Sequence, residues 1–292
     1  MRVAILGIGH MGAAMSRALA GAGFDLVLYN RTAQRAEALA GELGATVGAT
    51  AADAVADVDV AISMVADEAA VLDLYRGEDG LIAGLREGSV AADMSTVPPA
   101  VVQALADEVR ARGAGLLDAP VSGSVSLAET GGLTIMVGGE VGDLERARPV
   151  FDALAKRVFH LGPLGTGAAM KLAVNTLIFG LNQSIAEGLV LAEEAGIDPE
   201  LAYDVLAASA AGAPFVGYKR AAFLDPDGTP VAFSVRLAEK DLRLITALGD
   251  ALGVSMPQAR TNLEVLRATD EAGRGEADFS AVAGQLRGGG PA

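Results

Sequence analysis

Short apolar runs alternate with amphipathic helical segments over the first part of the chain. An apolar, β-branched run at 3–6 precedes helically spaced apolar residues and a second strand-like run at 25–29. The run at 58–64 is almost continuously apolar, as in strands that a parallel sheet buries on both faces. This alternation predicts a doubly wound α/β domain. The predicted strands are 3–6, 25–29, 45–47, 58–64, 89–94, 115–117, 133–137 and 157–161, and the predicted helices are 33–43, 69–75, 99–112 and 143–154.

The pattern changes after a Gly- and Pro-rich segment at 162–167. From 168 to 195 the apolar positions are those of one long helix, about 40 Å at the standard rise. The remainder has helical patterning interrupted by turns, with no strand of similar quality. We therefore predict an α/β domain at 1–162, an interdomain helix at 163–195 and an all-helical C-terminal domain at 196–292. The tail at 287–292 is predicted to be disordered.

The first turn of the chain carries a phosphate-binding signature. Gly7, Gly9 and Gly12 form a G-x-G-x-x-G sequence between the first strand and the first helix. Such glycines let the backbone approach a pyrophosphate that sits at a helix N-terminus. Strand, glycine turn and helix in this order indicate a Rossmann-type dinucleotide-binding domain. The turn, with His10 and Met11, is therefore a predicted cofactor site.

The end of the second strand distinguishes between two cofactors. Asn30, Arg31 and Thr32 stand near the place where an NAD-binding domain carries an acidic residue for the ribose 2′-hydroxyl. An amide and a guanidinium suit a 2′-phosphate instead. Arg35, one helical turn later, adds a second cation. The predicted cofactor is NADP(H).

Composition excludes several other classes of protein. Hydrophobic residues make up 51% of the chain and charged residues 20%, so the chain has enough apolar side chains to form buried cores. Its net charge of −15 argues against nonspecific binding to nucleic acid or to anionic membranes, and no apolar stretch reaches bilayer length. With no cysteine and two widely separated histidines, thiolate chemistry and a Cys- or His-based metal site are not expected. We expect a cytoplasmic protein without a metal.

A lysine is the natural acid–base candidate for hydride-transfer chemistry in such a chain. Lys171 lies four residues before Asn175, so both project from one face of the predicted interdomain helix. Apolar neighbours would partly desolvate the ammonium, which favours proton exchange. On spacing alone, a lysine that snorkels from an apolar helix, with Asn175 as a surface amide, is the commoner explanation.

Six segments taken together resemble the β-hydroxyacid dehydrogenase family, within the 6-phosphogluconate dehydrogenase superfamily. The family includes 3-hydroxyisobutyrate dehydrogenases and NADPH-linked glyoxylate/succinic semialdehyde and tartronate semialdehyde reductases. The segments follow the family's order over nearly the whole chain. They are GIGHMG at 7–12, NRT at 30–32, DMST at 93–96, DAPVSGSVSLAETGGLTIMVGG at 118–139, GPLGTGAAMKLAVN at 162–175 and EKDL at 239–242.

The resemblance implies roles for substrate-facing residues. In such enzymes the residue that matches Lys171 is the acid–base group, and the one that matches Asn175 helps to orient the substrate. Ser122 and Gly123 match positions that hold the substrate carboxylate through a hydroxyl and a backbone N–H.

The resemblance also implies further cofactor contacts. Thr96 matches a residue near the nicotinamide ribose, and Met64 and Val65 match a loop that passes over the cofactor. Lys240 matches a lysine of the helical domain that closes over the cofactor.

The expected activity is therefore NADP(H)-dependent interconversion of a small β-hydroxyacid, or another short hydroxyacid, and its semialdehyde. Two alternatives stay open. Imine reductases share the architecture and the preference for NADPH, but they generally lack a lysine at position 171 and lack the Ser-Gly segment. A non-catalytic NADPH-binding sensor or scaffold is the alternative from another class. Ser124 and Thr176 depart from the family pattern and leave the substrate open.

The predicted interdomain helix has an apolar face larger than one helix needs for local cover. Together with the resemblance, this face predicts a homodimer or homotetramer. Its residues are Leu172, Val174, Leu177, Ile178, Leu181 and Ile185.

Overall fold

Residues 1–287 are described by the computed structural model, and they fold into two compact units. The first unit comprises Met1–Lys171, and the second begins at Leu172. The predicted class is confirmed, since a Rossmann-like parallel sheet is followed by a helical C-terminal part. The division between the units falls inside one continuous helix, Thr166–Glu194.

A nine-stranded sheet forms the centre of the first unit. Its strands are β1 (Arg2–Leu6), β2 (Asp25–Tyr29), β3 (Thr46–Val47), β4 (Val60–Ser63), β5 (Val90–Asp93), β6 (Gly115–Asp118), β7 (Val121–Ser122), β8 (Leu133–Gly139) and β9 (Ala155–Gly162). They lie in the order β3-β2-β1-β4-β5-β6-β8-β7, and β9 pairs with β8. The pairs among β1 to β6 are parallel, whereas β8 runs antiparallel to both β6 and β7.

Helices cover both faces of this sheet. In β1, Val3 and Ile5 belong to one buried apolar cluster, and Ala4 and Leu6 belong to another. Because side chains alternate across a strand, burial on both faces produces the continuous apolar runs seen in the sequence. The helices are α1 (His10–Gly21), α2 (Ala33–Leu43), α3 (Ala51–Val55), α4 (Glu68–Arg76), α5 (Leu81–Gly84), α6 (Pro99–Ala111), α7 (Val125–Glu129) and α8 (Val141–Leu154).

The second unit is helical and has its own apolar core. Leu172, Ile185 and Leu189 on the long helix pack with Tyr203, Phe223 and other residues of the following helices. Several of those helices begin with a proline in the first turn, where the missing N–H costs nothing. The helices are α9 (Thr166–Glu194), which starts in the first unit, α10 (Pro199–Ala208), α11 (Pro214–Leu224), α12 (Val235–Leu252), α13 (Pro257–Thr269) and α14 (Val282–Arg287).

The structure bears on two expectations about this unit. Arg287, placed in the disordered tail, ends α14 and forms two hydrogen bonds of 2.7 Å with the carboxylate of Glu193; residues 288–292 lie outside the described residues. The apolar face of α9 is largely used inside the unit, where Leu172 and Ile185 are buried. Leu177, with 70% of its surface exposed, is the member of that face most available to a partner. The homo-oligomer stays a prediction.

A buried ion pair crosses the core of the second unit. The Nζ of Lys219 on α11 donates to both carboxylate oxygens of Asp278, at 2.6 and 2.7 Å, and lies 4.1 Å from the centroid of the Phe279 ring. The same carboxylate accepts hydrogen bonds from the backbone N–H groups of Ala232 and Ser280. Only 1% of Lys219 is exposed. The carboxylate therefore ties three separate segments together.

Replacing Lys219 by Met should destabilise the protein strongly, because the Asp278 charge would be left buried without its partner. We expect a loss of about 3–5 kcal/mol in the free energy of unfolding, measured by urea denaturation. The matched control is Arg220→Met on the same helix, which removes an exposed ion pair with Asp204 and should cost less than about 1 kcal/mol. Equal losses of unfolding free energy in the two variants would show that the buried pair contributes no more to stability than the exposed pair.

Candidate nucleotide-binding and catalytic site

The carboxyl ends of five neighbouring parallel strands lie in one row. The register pairs Leu6 with Tyr29 and with Ser63, Ser63 with Asp93, and Asp93 with Asp118. Ligands of open α/β sheets bind beyond this edge, where the strand order reverses. The predicted cofactor residues that directly follow these strand ends are 7–12, 30–32, 64–65 and Thr96.

The glycine turn after β1 has the shape that a phosphate site requires. Gly7 has a φ of 105°, and a Cβ there would overlap the carbonyl oxygen of Met64. A Cβ on Gly12 would overlap the carbonyl oxygen of Gly7. The helix α1 and the turn after β1 can therefore approach this closely only because residues 7 and 12 have no side chain. At Gly9, by contrast, a Cβ would meet no atom within 4 Å. No side chain caps the start of α1, so its first N–H groups can receive a phosphate.

Asn30 binds the protein's own backbone on two sides. Its Oδ1 accepts a hydrogen bond from the N–H of Ile8 at 2.9 Å, and its Nδ2 donates to the carbonyl oxygen of Thr32 at 2.9 Å. The amide thus braces the glycine turn against the segment after β2. The predicted contact of this amide with a 2′-phosphate stays a prediction.

A cleft of about 860 Å³ opens between these segments. Arg31 and Arg35 line it and are exposed, and within residues 1–287 neither guanidinium forms an ion pair. Beside them, α2 begins at Ala33, and the side chain of the preceding residue, Thr32, does not cap it. Two cations and an uncapped helix N-terminus favour an anion at this end of the cleft. Other residues that line the cleft are Gly7, Gly9, Tyr29, Thr50, Met64, Val65 and Asp67.

The start of α9 is held by a carboxylate at the end of β6. Asp118 is buried, and its two oxygens accept hydrogen bonds from the N–H groups of Gly165, at 2.7 Å, and Ala168, at 2.6 Å. Burial raises the pKa of Asp118, and these backbone donors oppose the rise. Lys171 follows Ala168 by three residues and is half-buried. Asp118 therefore holds the backbone at the start of the helix that carries Lys171.

In the second unit a buried carboxylate joins two other predicted residues. Asp241 on α12 accepts a hydrogen bond of 2.7 Å from the Nδ2 of Asn175, which is itself buried. The Nζ of Lys240 lies 3.0 Å from the other oxygen of Asp241. The side-chain amide of Asn175 is therefore buried and fixed by a hydrogen bond, and it is not exposed on the helix surface. Its place one turn after Lys171 on α9 is as the spacing predicted.

Ser122 and Gly123 lie at the end of the short strand β7. Ser122 pairs with Thr134 of β8 and is half-buried, whereas Gly123 is exposed. The hydroxyl of Ser124 accepts a hydrogen bond from the N–H of Leu127 and so caps α7. The departure from the family pattern at this position thus supplies a helix cap, a role that glycine cannot fill with a side chain.

The described residues contain no group of three or more His, Cys, Asp or Glu side chains arranged to hold a metal ion. Among the helices from residue 1 to 287, none is both long and apolar enough to cross a bilayer.

Sequence reasoning missed the residues that position the site. Asp118 and Asp241 were part of the quoted segments but were given no role, and Asn30 was given a different one. A signal was present for Asp118, since a charged residue directly after an apolar strand needs a buried partner. No local pattern identifies Asp241, because its partner Asn175 is 66 residues away in the sequence.

Two family models together match almost the whole chain. Residues 2–162 match the NAD binding domain of 6-phosphogluconate dehydrogenase. Residues 165–286 match the NAD-binding domain of NADP-dependent 3-hydroxyisobutyrate dehydrogenase.

Individual proteins are similar over their full length. Glyoxylate/succinic semialdehyde reductase 1 of Arabidopsis thaliana is 36% identical over 282 residues, which cover 97% of each chain. An NAD-dependent L-serine dehydrogenase of Pseudomonas aeruginosa is 34% identical and covers 96% of each. The crystal structure of a 3-hydroxyisobutyrate dehydrogenase from Salmonella typhimurium superposes with a TM-score of 0.89 at 30% identity, covering 97% of this chain and 99% of that one.

Proposed function

The chain belongs to the β-hydroxyacid dehydrogenase family of nicotinamide-dependent oxidoreductases, and we propose that it uses NADP(H) to interconvert a small β-hydroxyacid and its semialdehyde. One observation carries the proposal. A single row of strand ends supports the glycine turn and, through Asp118, the helix that bears Lys171. The glycine turn and the start of the helix that bears the acid–base candidate are therefore both anchored at this edge of the sheet.

The choice of NADP(H) rests on this chain's own residues, because one similar protein is named as NAD-dependent. Arg31 and Arg35 are exposed at the cleft, without ion pairs to other residues of the described chain. In a chain of net charge −15, two such cations beside a helix N-terminus favour a dianionic 2′-phosphate. No carboxylate directly follows β2 to accept a ribose 2′-hydroxyl.

Replacing Arg31 by Ala should weaken NADPH binding by about ten- to a hundredfold and leave NADH binding nearly unchanged. The expected loss is that of one charge-assisted contact, about 1.5–3 kcal/mol. Fluorescence titration of both cofactors measures it. Arg110→Ala, which removes an exposed arginine of α6 paired with Asp107, is the matched control and should bind both cofactors normally. Equal affinity of the unmodified protein for NADPH and NADH would contradict the assignment.

The proposed mechanism divides hydride and proton between cofactor and protein. A bound nicotinamide supplies or accepts the hydride. In the reductive direction the ammonium of Lys171 gives a proton to the substrate oxygen, and in the oxidative direction the neutral amine takes the hydroxyl proton. Asn175, fixed by Asp241, orients the substrate.

The proposed substrate is a short carboxylate. The Ser122 hydroxyl and the backbone N–H of Gly123 hold the carboxylate without a cationic side chain, as neutral donors in an oriented loop can. The family resemblance assigns the carboxylate to these two residues, while the neighbouring Ser124 oxygen accepts the N–H of Leu127 and lies 2.8 Å from the Ser126 hydroxyl.

Lys171→Met should lower kcat by about 10²- to 10⁴-fold, because the variant keeps an apolar stem but has no proton to exchange. NADPH binding should change little, since the cofactor is held by the glycine turn and by Arg31. Lys171→Arg should not restore activity, because a guanidinium does not release its proton at working pH. The rate of oxidation in the unmodified enzyme should rise toward alkaline pH.

The substrate panel for this assay contains semialdehydes with a carboxylate, uncharged aldehydes of equal length, and cyclic imines. We expect turnover of the first group. Preference for cyclic imines would instead indicate an imine reductase, and cofactor binding without any turnover would indicate a sensor or scaffold. A Lys171→Met protein with normal kcat would refute the proposed proton transfer.

A further inference from the structure

We propose that Asp93 is a positioning residue which, through the hydroxyl of Ser95, fixes the backbone of Val65 at the border of the nucleotide cleft. The inference rests on the proposed nucleotide site and assigns a role to a buried carboxylate that does not itself reach the cleft lining. The relevant groups all belong to the first unit. Asp93 ends β5, Ser95 follows it by two residues, and Val65 follows β4 by two residues.

A continuous chain of hydrogen bonds connects these groups. The N–H of Val65 donates to the Oγ of Ser95 at 3.0 Å, and the Oγ of Ser95 donates to the Oδ1 of Asp93 at 2.9 Å. From the other side, the Oγ of Ser63 donates to the same Oδ1 at 2.7 Å and lies 3.0 Å from the hydroxyl of Tyr75. Two serine hydroxyls thus converge on one carboxylate oxygen.

The directions of the two bonds that link Val65, Ser95 and Asp93 are determined. A backbone N–H can only donate, so the Ser95 oxygen must accept from Val65 and turn its single proton toward Asp93. Asp93 must then act as an acceptor at Oδ1. Burial raises the pKa of Asp93 to about 6, and the hydroxyls of Ser63 and Ser95 together with the backbone N–H of Ser95 oppose the rise. Above that pKa the group is a carboxylate, which makes both O–H bonds charge-assisted.

Burial makes this arrangement costly to leave unsatisfied. Ser63, Asp93 and Ser95 are each at most 2% exposed. The Oδ2 of Asp93 has no hydrogen-bond partner among the described residues, so the carboxylate depends on the donors at Oδ1. The neighbouring charged residue at the strand ends is Asp118, whose negative charge does not stabilise the Asp93 carboxylate.

The position of Val65 matters because its segment contacts the glycine turn. The carbonyl oxygen of Met64 and the Cγ1 of Val65 lie against the Cα of Gly7, where no side chain could fit. Both Met64 and Val65 line the cleft. A shift of this segment would therefore change the shape of the site at the first glycine of the phosphate turn.

Ser95→Ala and Ser63→Ala form a matched pair of variants. Each removes one hydroxyl from Asp93 Oδ1, but only Ser95→Ala cuts the connection to Val65. For Ser95→Ala we expect NADPH to bind about fivefold to tenfold more weakly, the size of one net hydrogen bond. The Val65 amide should exchange its hydrogen about tenfold faster in nucleotide-free protein. Ser63→Ala should stay within about twofold of the unmodified protein in both measurements.

Equal effects of the two substitutions, or none with Ser95→Ala, would overturn the inference. A general loss of packing would lower the NADPH affinity of both variants by similar amounts. A difference in NADPH affinity between the two variants therefore separates the positioning of Val65 from a loss of stability. If the unmodified protein bound neither NADPH nor NADH, the proposed function would fail. Hydrogen exchange at Val65, measured without nucleotide, would still decide whether the Ser95 hydroxyl that Asp93 orients fixes this segment.

Discussion

Two carboxylates buried side by side at the ends of β5 and β6 constrain the whole edge of the sheet. Asp93 and Asp118 are register partners, and each is 1% exposed. Charges buried this deeply require hydrogen-bond donors. Asp118 obtains them from the first turn of α9, and Asp93 obtains them from two serines, one of which holds Val65. Satisfying the carboxylates therefore places the helix that bears Lys171 and the segment that borders the nucleotide cleft.

A similar device operates within the second unit. Asp241 is buried on α12, and it holds the amide of Asn175 and contacts the ammonium of Lys240. In each unit, buried acids orient residues that are assigned to binding or to chemistry. Lys171, the proposed proton carrier, is itself half-buried. Proton transfer by a lysine requires a side chain that is both positioned and accessible, and a half-buried Lys171 on an anchored helix is compatible with that proposal.

The sequence predicted most of what depends on local pattern. Asp25–Tyr29 and Ala33–Leu43 have the predicted bounds because apolar spacing and flanking turns define them. The short elements Ala51–Val55 and Val121–Ser122 were missed, since too few residues are present to show a period. The family resemblance is confirmed by the family models and by the similar proteins.

Contacts between distant segments could not be predicted in the same way. The hydrogen bonds of the Asn30 amide with Ile8 and Thr32 were not predicted, and its contact with a 2′-phosphate stays a prediction. The parallel register of β4 and β5 brings Ser63 to Asp93, and Asp118 meets Gly165, which is 47 residues away in the sequence. The substrate and cofactor roles of the individual residues remain proposals that follow from this geometry and from the family.

The kcat of Asp118→Asn tests whether the buried carboxylate places the catalytic helix. Asparagine keeps the size of the side chain but offers one acceptor oxygen, so the N–H of Gly165 or Ala168 loses its partner. If α9 then shifts, kcat should fall by about tenfold to a hundredfold while the Kd of NADPH stays within about twofold. A folded Asp118→Asn enzyme with unchanged kcat would show that Lys171 does not depend on this carboxylate.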